Sequence, residues 1–299
     1  MIRRLRIYFK EMYPIIPRLI LSFIIFFEIY FIILLNSGIT EFSVGPQEIA
    51  GSFTIFAFLL FLRIADDFKD YETDKTLFPD RAFPSGKVLK KDLLTAAAVT
   101  SAAAAAANIL LMNNLLFFAG LYGYGALMSV WFFRKKTISK SLPLALVTHN
   151  PVQIILNFYV ISFTCIKYGI NIISWVTLLS AFTLYFPALI WEISRKIRAP
   201  KDETEYITYS KLFGYKKPAK FVMILIIADI ITNYFLVFSL NKVSVVLLSI
   251  NLVWILNRIV SFIKNPAQFS LIKKIEAYTY IQESIMLLTV LFCLLKGKI

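Results

Sequence analysis

Nine apolar runs, each close to 20 residues long, follow one another along this 299-residue chain. About 20 apolar residues is the length an α-helix needs to cross the hydrocarbon core of a bilayer. Lipid offers the backbone no hydrogen-bond partners, so each run must satisfy its own as a helix. The runs fall at about 14–35, 46–65, 92–112, 114–133, 142–165, 170–191, 219–240, 243–263 and 276–295. They leave no room for a soluble domain. Residues 1–299 therefore read as one all-α, nine-helix transmembrane domain. The connections at Asn113-Asn114 and Asn241-Lys242 are short enough to demand tight antiparallel hairpins. Charged residues are 17% of the chain, against about 25% in soluble domains. Cys165 and Cys293 each lie deep in an apolar run, which excludes a disulfide framework or a cysteine metal cluster.

The charges fix an orientation. Of the 32 lysines and arginines, 28 fall in the N-terminus and in the loops after runs two, four, six and eight. Lys167, Lys242, Lys296 and Lys298 are left for the other side. Cytoplasmic loops carry the excess of Lys and Arg. The N-terminus and the basic loops are thus expected in the cytoplasm, and the C-terminus opposite. The net charge of +14 then reflects topology and attraction to an anionic leaflet, and it calls for no nucleic acid.

Two of the basic loops are long, at about 66–91 and 192–218, and long loops often carry function. The first opens on Asp66-Asp67, followed by Asp70 and Asp74. On a helix, Asp67, Asp70 and Asp74 would fall within about 60° of one another, with Arg63 on the same stripe. Three like charges on one face repel, so a cation belongs among them. Mg²⁺ suits carboxylate oxygens and commonly bridges them to substrate phosphates. A solvated acidic helix end has the same composition. Arg81 and Lys87 follow in the same loop and suit an anion beside such a metal, although positive-inside charge would look alike. In the second loop, Glu192 and Lys196 form an i,i+4 pair, and Arg195, Lys196 and Arg198 make a dense cationic cluster. That cluster matches a diphosphate.

The segment from Asp66 to Asp74 resembles the first signature of the UbiA superfamily of intramembrane prenyltransferases, Asn-Asp-x-x-Asp-x-x-x-Asp. Asp66 stands where Asn is usual. Arg81 to Gly86 resembles the Arg-Pro-x-Pro-x-Gly stretch that follows, with Ala82 in place of the first Pro. Nine spans, with signature loops after the second and sixth, also agree. The usual second signature is Asp-x-x-x-Asp; here Glu192 and Lys196 occupy the matching positions. The resemblance implies a nine-helix UbiA-like bundle. Asp67, Asp70, Asp74 and Glu192 would carry the catalysis. Asp66, Asp67, Asp70, Asp74, Glu192 and Asp202 would bind Mg²⁺. Arg63, Arg81, Lys87, Arg195, Lys196 and Arg198 would hold the diphosphate. The reaction implied is ionisation of an isoprenyl diphosphate and transfer of its prenyl chain to a small, aromatic or quinone-like acceptor. Terpene cyclases of the same superfamily let the carbocation cyclise instead. Every residue named serves both outcomes.

Ionisable groups inside a membrane are expensive and usually face the protein interior. Glu28, His149, Asn150, Asp229 and Glu283 lie within apolar runs. His149, Asn150, Asp229 and Glu283 are candidates to line a substrate cavity, the alternative being interhelical hydrogen bonds. An ion-coupled transporter with Glu28, Asp229 and Glu283 as its relay is a third reading. It would show matching broken helices in two halves. No such internal repeat is visible, and the aspartates would be left without a role.

Overall fold

The computed structural model describes residues Met1 to Lys296, so Lys298 lies outside the described residues. Among them the regular structure is entirely helical. In chain order the helices are α1 (Ile2–Glu11), α2 (Ile15–Asn36), α3 (Pro46–Lys69), α4 (Tyr71–Leu77), α5 (Lys90–Leu111), α6 (Leu115–Ser129), α7 (Lys135–Ile138) and α8 (Leu142–His149). There follow α9 (Val152–Tyr168), α10 (Trp175–Thr183), α11 (Tyr185–Ser194), α12 (Tyr209–Phe213), α13 (Lys216–Val237), α14 (Lys242–Lys264) and α15 (Leu271–Lys296).

Eight segments of the described residues are long and apolar enough to cross a membrane, counting α8–α9 and α10–α11 as one each. The ninth expected span is shorter than the sequence suggests. The helix α6 has 15 residues, or about 22 Å, against a hydrocarbon core of about 30 Å. It stops because Trp131, Phe132 and Phe133 all adopt the left-handed conformation, at φ of 55°, 48° and 59°. Two other spans are broken by proline. Pro151 and Pro187 have no N–H to donate to the carbonyl four residues back, which opens the joints at Asn150 and Leu184. The outward faces are apolar: Val246, Ile250 and Val253 form an exposed stripe along α14. Such a stripe fits lipid.

The described chain resolves into two compact units. Unit 1 comprises residues Met1–Phe27, Phe42–Thr137 and Ser162–Gly169. Its centre is the packing of α3 against the alanine-rich α5, where small side chains let the helices approach closely. Asn108 on α5 donates to Thr54 Oγ1 on α3 at 2.7 Å. Gly125 on α6 lies against Phe58, whose ring would stand 2.7 Å from any added Cβ. The start of α3 is capped locally, Glu48 accepting from the Gly45 N–H at 2.8 Å, and its carboxylate also pairs with Lys167 at 2.5 Å. At the other end of α3, Tyr8, Tyr13, Leu60, Ile64, Ala82, Val88 and Leu93 form a small buried core.

Unit 2 comprises Glu28–Glu41, Ile138–Ile161 and the chain from Ile170 onward. Helices α13, α14 and α15 follow one another, and α10 and α11 pack on α13. Ile226, Ile230, Leu248, Ile255, Ile259 and Ile275 fill the interior. Asn241 caps α14, accepting from the Val243 N–H at 3.0 Å, in the tight connection expected there. Both cysteines are free.

Candidate functional site

The first group of candidate residues belongs to unit 1. The helix α3 carries Arg63, Asp66 and Asp67 and ends at Lys69. Asp70 leaves the helical conformation, at φ −98° and ψ 7°, and α4 begins after it. The single helical face expected for Asp67, Asp70 and Asp74 is therefore interrupted at its middle member. Backbone bonding still runs across the joint, from the Asp70 N–H to Asp66 O at 2.9 Å and from the Asp74 N–H to Asp70 O at 2.8 Å.

The cations expected among these carboxylates are, in the protein itself, side chains. Asp67 is buried, and both of its oxygens are engaged. Arg63 Nη2 donates to Oδ1 at 2.6 Å and the Tyr8 hydroxyl donates to Oδ2 at 2.6 Å. Asp74 is also buried, with both oxygens 2.8 Å from Arg81 Nη1. Asp66 pairs with Lys69 at 3.2 Å. Asp70 is exposed and makes no ion pair or side-chain hydrogen bond with the described residues. Its carboxyl is nevertheless held above the usual carboxylate range, first by the desolvation that neighbouring protein imposes and next by the charge of Asp66. Arg63 Nε is buried and has no acceptor among the described residues.

Arg81 reaches Asp74 because the loop behind it is closed. The Val88 N–H donates to Ala82 O at 3.1 Å, and Gly86 turns the chain at φ +77°, which favours glycine. Ala82 is fully buried. The Phe78 ring lies 4.0 Å from the Arg81 guanidinium. Lys87 is exposed and donates to Asp80 O at 3.0 Å, so it does not join the carboxylates.

The second group belongs to unit 2. Glu192, near the end of α11, is held by Arg195 through two hydrogen bonds of 2.6 and 2.8 Å, and by Lys196 at 3.0 Å. Burial draws the Arg195 guanidinium toward losing its proton, but the Glu192 carboxylate more than offsets this and keeps it charged. Arg198 is fixed by Ser210, whose Oγ accepts from its N–H at 2.7 Å, and by Thr204, whose Oγ1 accepts from its guanidinium at 2.8 Å. The Tyr209 N–H donates to Lys196 O at 2.9 Å, which ties the loop back to α11. Burial, then the charge of Glu192, pushes the Tyr209 hydroxyl up to about 12. Asp202 is exposed on a short 3₁₀ turn spanning Pro200–Asp202. Among the described residues, no three acidic, histidine or cysteine side chains gather closely enough to hold a metal by themselves.

Of the intramembrane candidates, Asp229 and His149 are hydrogen-bonded within unit 2. Asp229 is fully buried and accepts from the Tyr278 hydroxyl at 2.8 Å, Gln282 Nε2 at 3.0 Å and Asn233 Nδ2 at 3.0 Å. Glu28 is buried, and its Oε1 has no hydrogen-bond partner among the described residues. His149 Nδ1 lies 3.0 Å from Thr148 Oγ1 at the end of α8, and Asn150 occupies the joint before Pro151. A cavity of about 180 Å³ opens at the far end of unit 1, by Gln47, Asn113, Asn114 and Lys167. The start of α3 lies there, about 30 Å along the helix from Asp67.

Sequence reasoning missed three residues of the first group. Tyr8 sits 59 positions from Asp67, in a segment that reads as topogenic charge. Arg4 binds Asp92 at 2.5 and 2.9 Å. The Trp131 ring lies 4.6 Å from Lys69 Nζ. No local spacing announces any of them.

No protein-family model and no curated protein sequence matches the chain. A solved structure described as digeranylgeranylglyceryl phosphate synthase in membranes does match, with a TM-score of 0.65 over 99% of this chain and 99% of that one. The two share 15% sequence identity, so the likeness is one of fold. The chain has the helical-bundle fold of that membrane synthase.

Proposed function

We propose that the protein is a Mg²⁺-dependent intramembrane prenyltransferase that takes an isoprenyl diphosphate and passes its prenyl chain to an acceptor. The observation that carries this reading is the set of carboxylates at the end of α3, interleaved with Arg63, Lys69 and Arg81, in a chain sharing its fold from end to end with a membrane synthase.

The residues fit magnesium by donor type, since all are hard carboxylate oxygens. They fit it as an ion that arrives with its substrate. Mg²⁺ keeps several waters and takes one or two carboxylates together with substrate phosphates, and needs no closed protein cage. Asp70 has both oxygens available and feels the charges of Asp66 and Asp74, which makes it the first ligand. Asp74 and Asp67 are the next, already oriented by Arg81 and by Arg63 and Tyr8. Held by these carboxylates, Mg²⁺ would supply positive charge to offset that developing on a leaving diphosphate. Arg63 and Arg81 offer a phosphate oxygen the guanidinium donors not spent on Asp67 and Asp74. In unit 2, Glu192 acts through its neighbours: it aligns Arg195 and Lys196 as donors to an anion. Both groups are expected to face the cytoplasm, and the prenyl tail to lie among the apolar spans.

The test is to reconstitute the protein in nanodiscs and add Mg²⁺ with allylic diphosphates of several chain lengths. Acceptors should include aromatic compounds and, given the neighbour's name, a glyceryl phosphate. Diphosphate release that requires Mg²⁺ and acceptor, and is lost in Asp70→Ala, supports the reading. Unchanged release in both Asp67→Ala and Asp70→Ala overturns the proposed headgroup site. Release without acceptor, accompanied by a cyclic hydrocarbon or alcohol, replaces transfer with cyclisation.

A further inference from the structure

The N-terminal helix α1 is built into the carboxylate group. Tyr8 is fully buried, packed with Ile64, Ala82, Val88 and Leu93, and its hydroxyl ends on Asp67 Oδ2. The opposite oxygen of Asp67 is taken by Arg63, so Tyr8 removes the remaining rotational freedom of that carboxylate. One turn earlier, Arg4 clamps α1 onto Asp92 at the start of α5. Asp92 also accepts from the Leu89 N–H at 3.2 Å, and so secures the end of the loop that carries Arg81. One short helix thereby fixes an aspartate at the end of α3 and the frame of the loop facing it.

We infer that α1 is a positioning element of the headgroup site, with Tyr8 setting the orientation of Asp67 and the Arg4–Asp92 clamp seating Tyr8. This rests on the reading of Asp67 as part of a Mg²⁺–diphosphate site. Groups that hold a metal-binding carboxylate from behind typically change metal affinity about 10- to 100-fold when removed.

The test uses the full chain in nanodiscs, with Mn²⁺ as the paramagnetic probe and inorganic diphosphate as the headgroup. Tyr8→Phe keeps the ring in its pocket and deletes only the hydroxyl. Mn²⁺ half-saturation in the presence of diphosphate is expected to rise about tenfold, with the melting temperature little changed. Arg4→Met, at a partly exposed position, is expected to shift it in the same direction by about threefold, and it keeps the question open to test if Tyr8→Phe unfolds. Wild-type half-saturation in a folded Tyr8→Phe, or in Arg4→Met alone where Tyr8→Phe does not fold, overturns the inference. The parent reading fails separately: wild-type protein then binds no Mn²⁺ with diphosphate, and Asp70→Ala changes nothing.

Discussion

Deleting the Arg81 guanidinium, as Arg81→Met, leaves Asp74 in place without its counter-ion. The pair is asymmetric: the Asp74 side chain is 9% exposed and that of Arg81 is 37% exposed. At a separation of about 3–4 Å and an effective dielectric of about 20, the gross attraction is about 4–5 kcal/mol. Desolvation of Asp74 and the ordering of a long side chain consume much of that. Exposed pairs are worth about 0–1 kcal/mol net, while breaking a buried pair costs about 3–5 kcal/mol. A half-exposed arginine on a buried aspartate falls between, at about 1–2 kcal/mol of coupling. The measurement is a double-mutant cycle of Asp74→Asn, Arg81→Met and the double variant, read by unfolding in a fixed detergent. Arg81→Met is expected to be the most costly of the three, and the double variant to recover much of the loss. Raising the salt from 0.1 to 1 M should shrink the coupling, since the screening length falls from about 10 to about 3 Å. Additivity within about 0.3 kcal/mol would refute the argument, because it would mean that Asp74 is solvated without Arg81.

Two further outcomes follow from neighbouring features. Asp70→Asn is expected to stabilise the protein at neutral pH while abolishing Mg²⁺-dependent release. A carboxyl raised above its ordinary value favours the fold fully below the unfolded value, and that benefit is lost as pH rises through the folded value. Unfolding of wild type and Asp70→Asn from pH 4 to 7 checks this; a variant less stable than wild type at pH 7 contradicts it. Asp229→Leu strands the donors of Tyr278, Gln282 and Asn233 in the interior of unit 2 and should cost about 3–6 kcal/mol, whereas Asp229→Asn should cost about half as much. Equal costs, measured by unfolding in detergent, would show that the acceptor role of Asp229 is unimportant.

The class of fold was legible because length and apolarity alone define a membrane helix. What the runs hid was where helices break. Pro151 and Pro187 were visible as letters, yet apolarity continues across both, so two spans read as single helices. The early end of α6 depends on three aromatic residues turning left-handed, which no periodicity marks. At the candidate site, contacts close in sequence were readable: Arg63 with Asp67 and Glu192 with Lys196 are i,i+4 pairs, and both are formed. The partners that come from afar, Tyr8 on Asp67 and Arg4 on Asp92, depend on tertiary packing and have no signature of their own.

The interleaving of charge at the end of α3 has a consequence for how the protein is assembled. Four carboxylates, Asp66, Asp67, Asp70 and Asp74, stand against three resident cations, Arg63, Lys69 and Arg81. The group is therefore nearly neutral before anything binds. A bare carboxylate cage would depend on its ion to fold, as structural metal sites do. On the proposed reading, a chelator should therefore silence turnover yet leave the bundle standing.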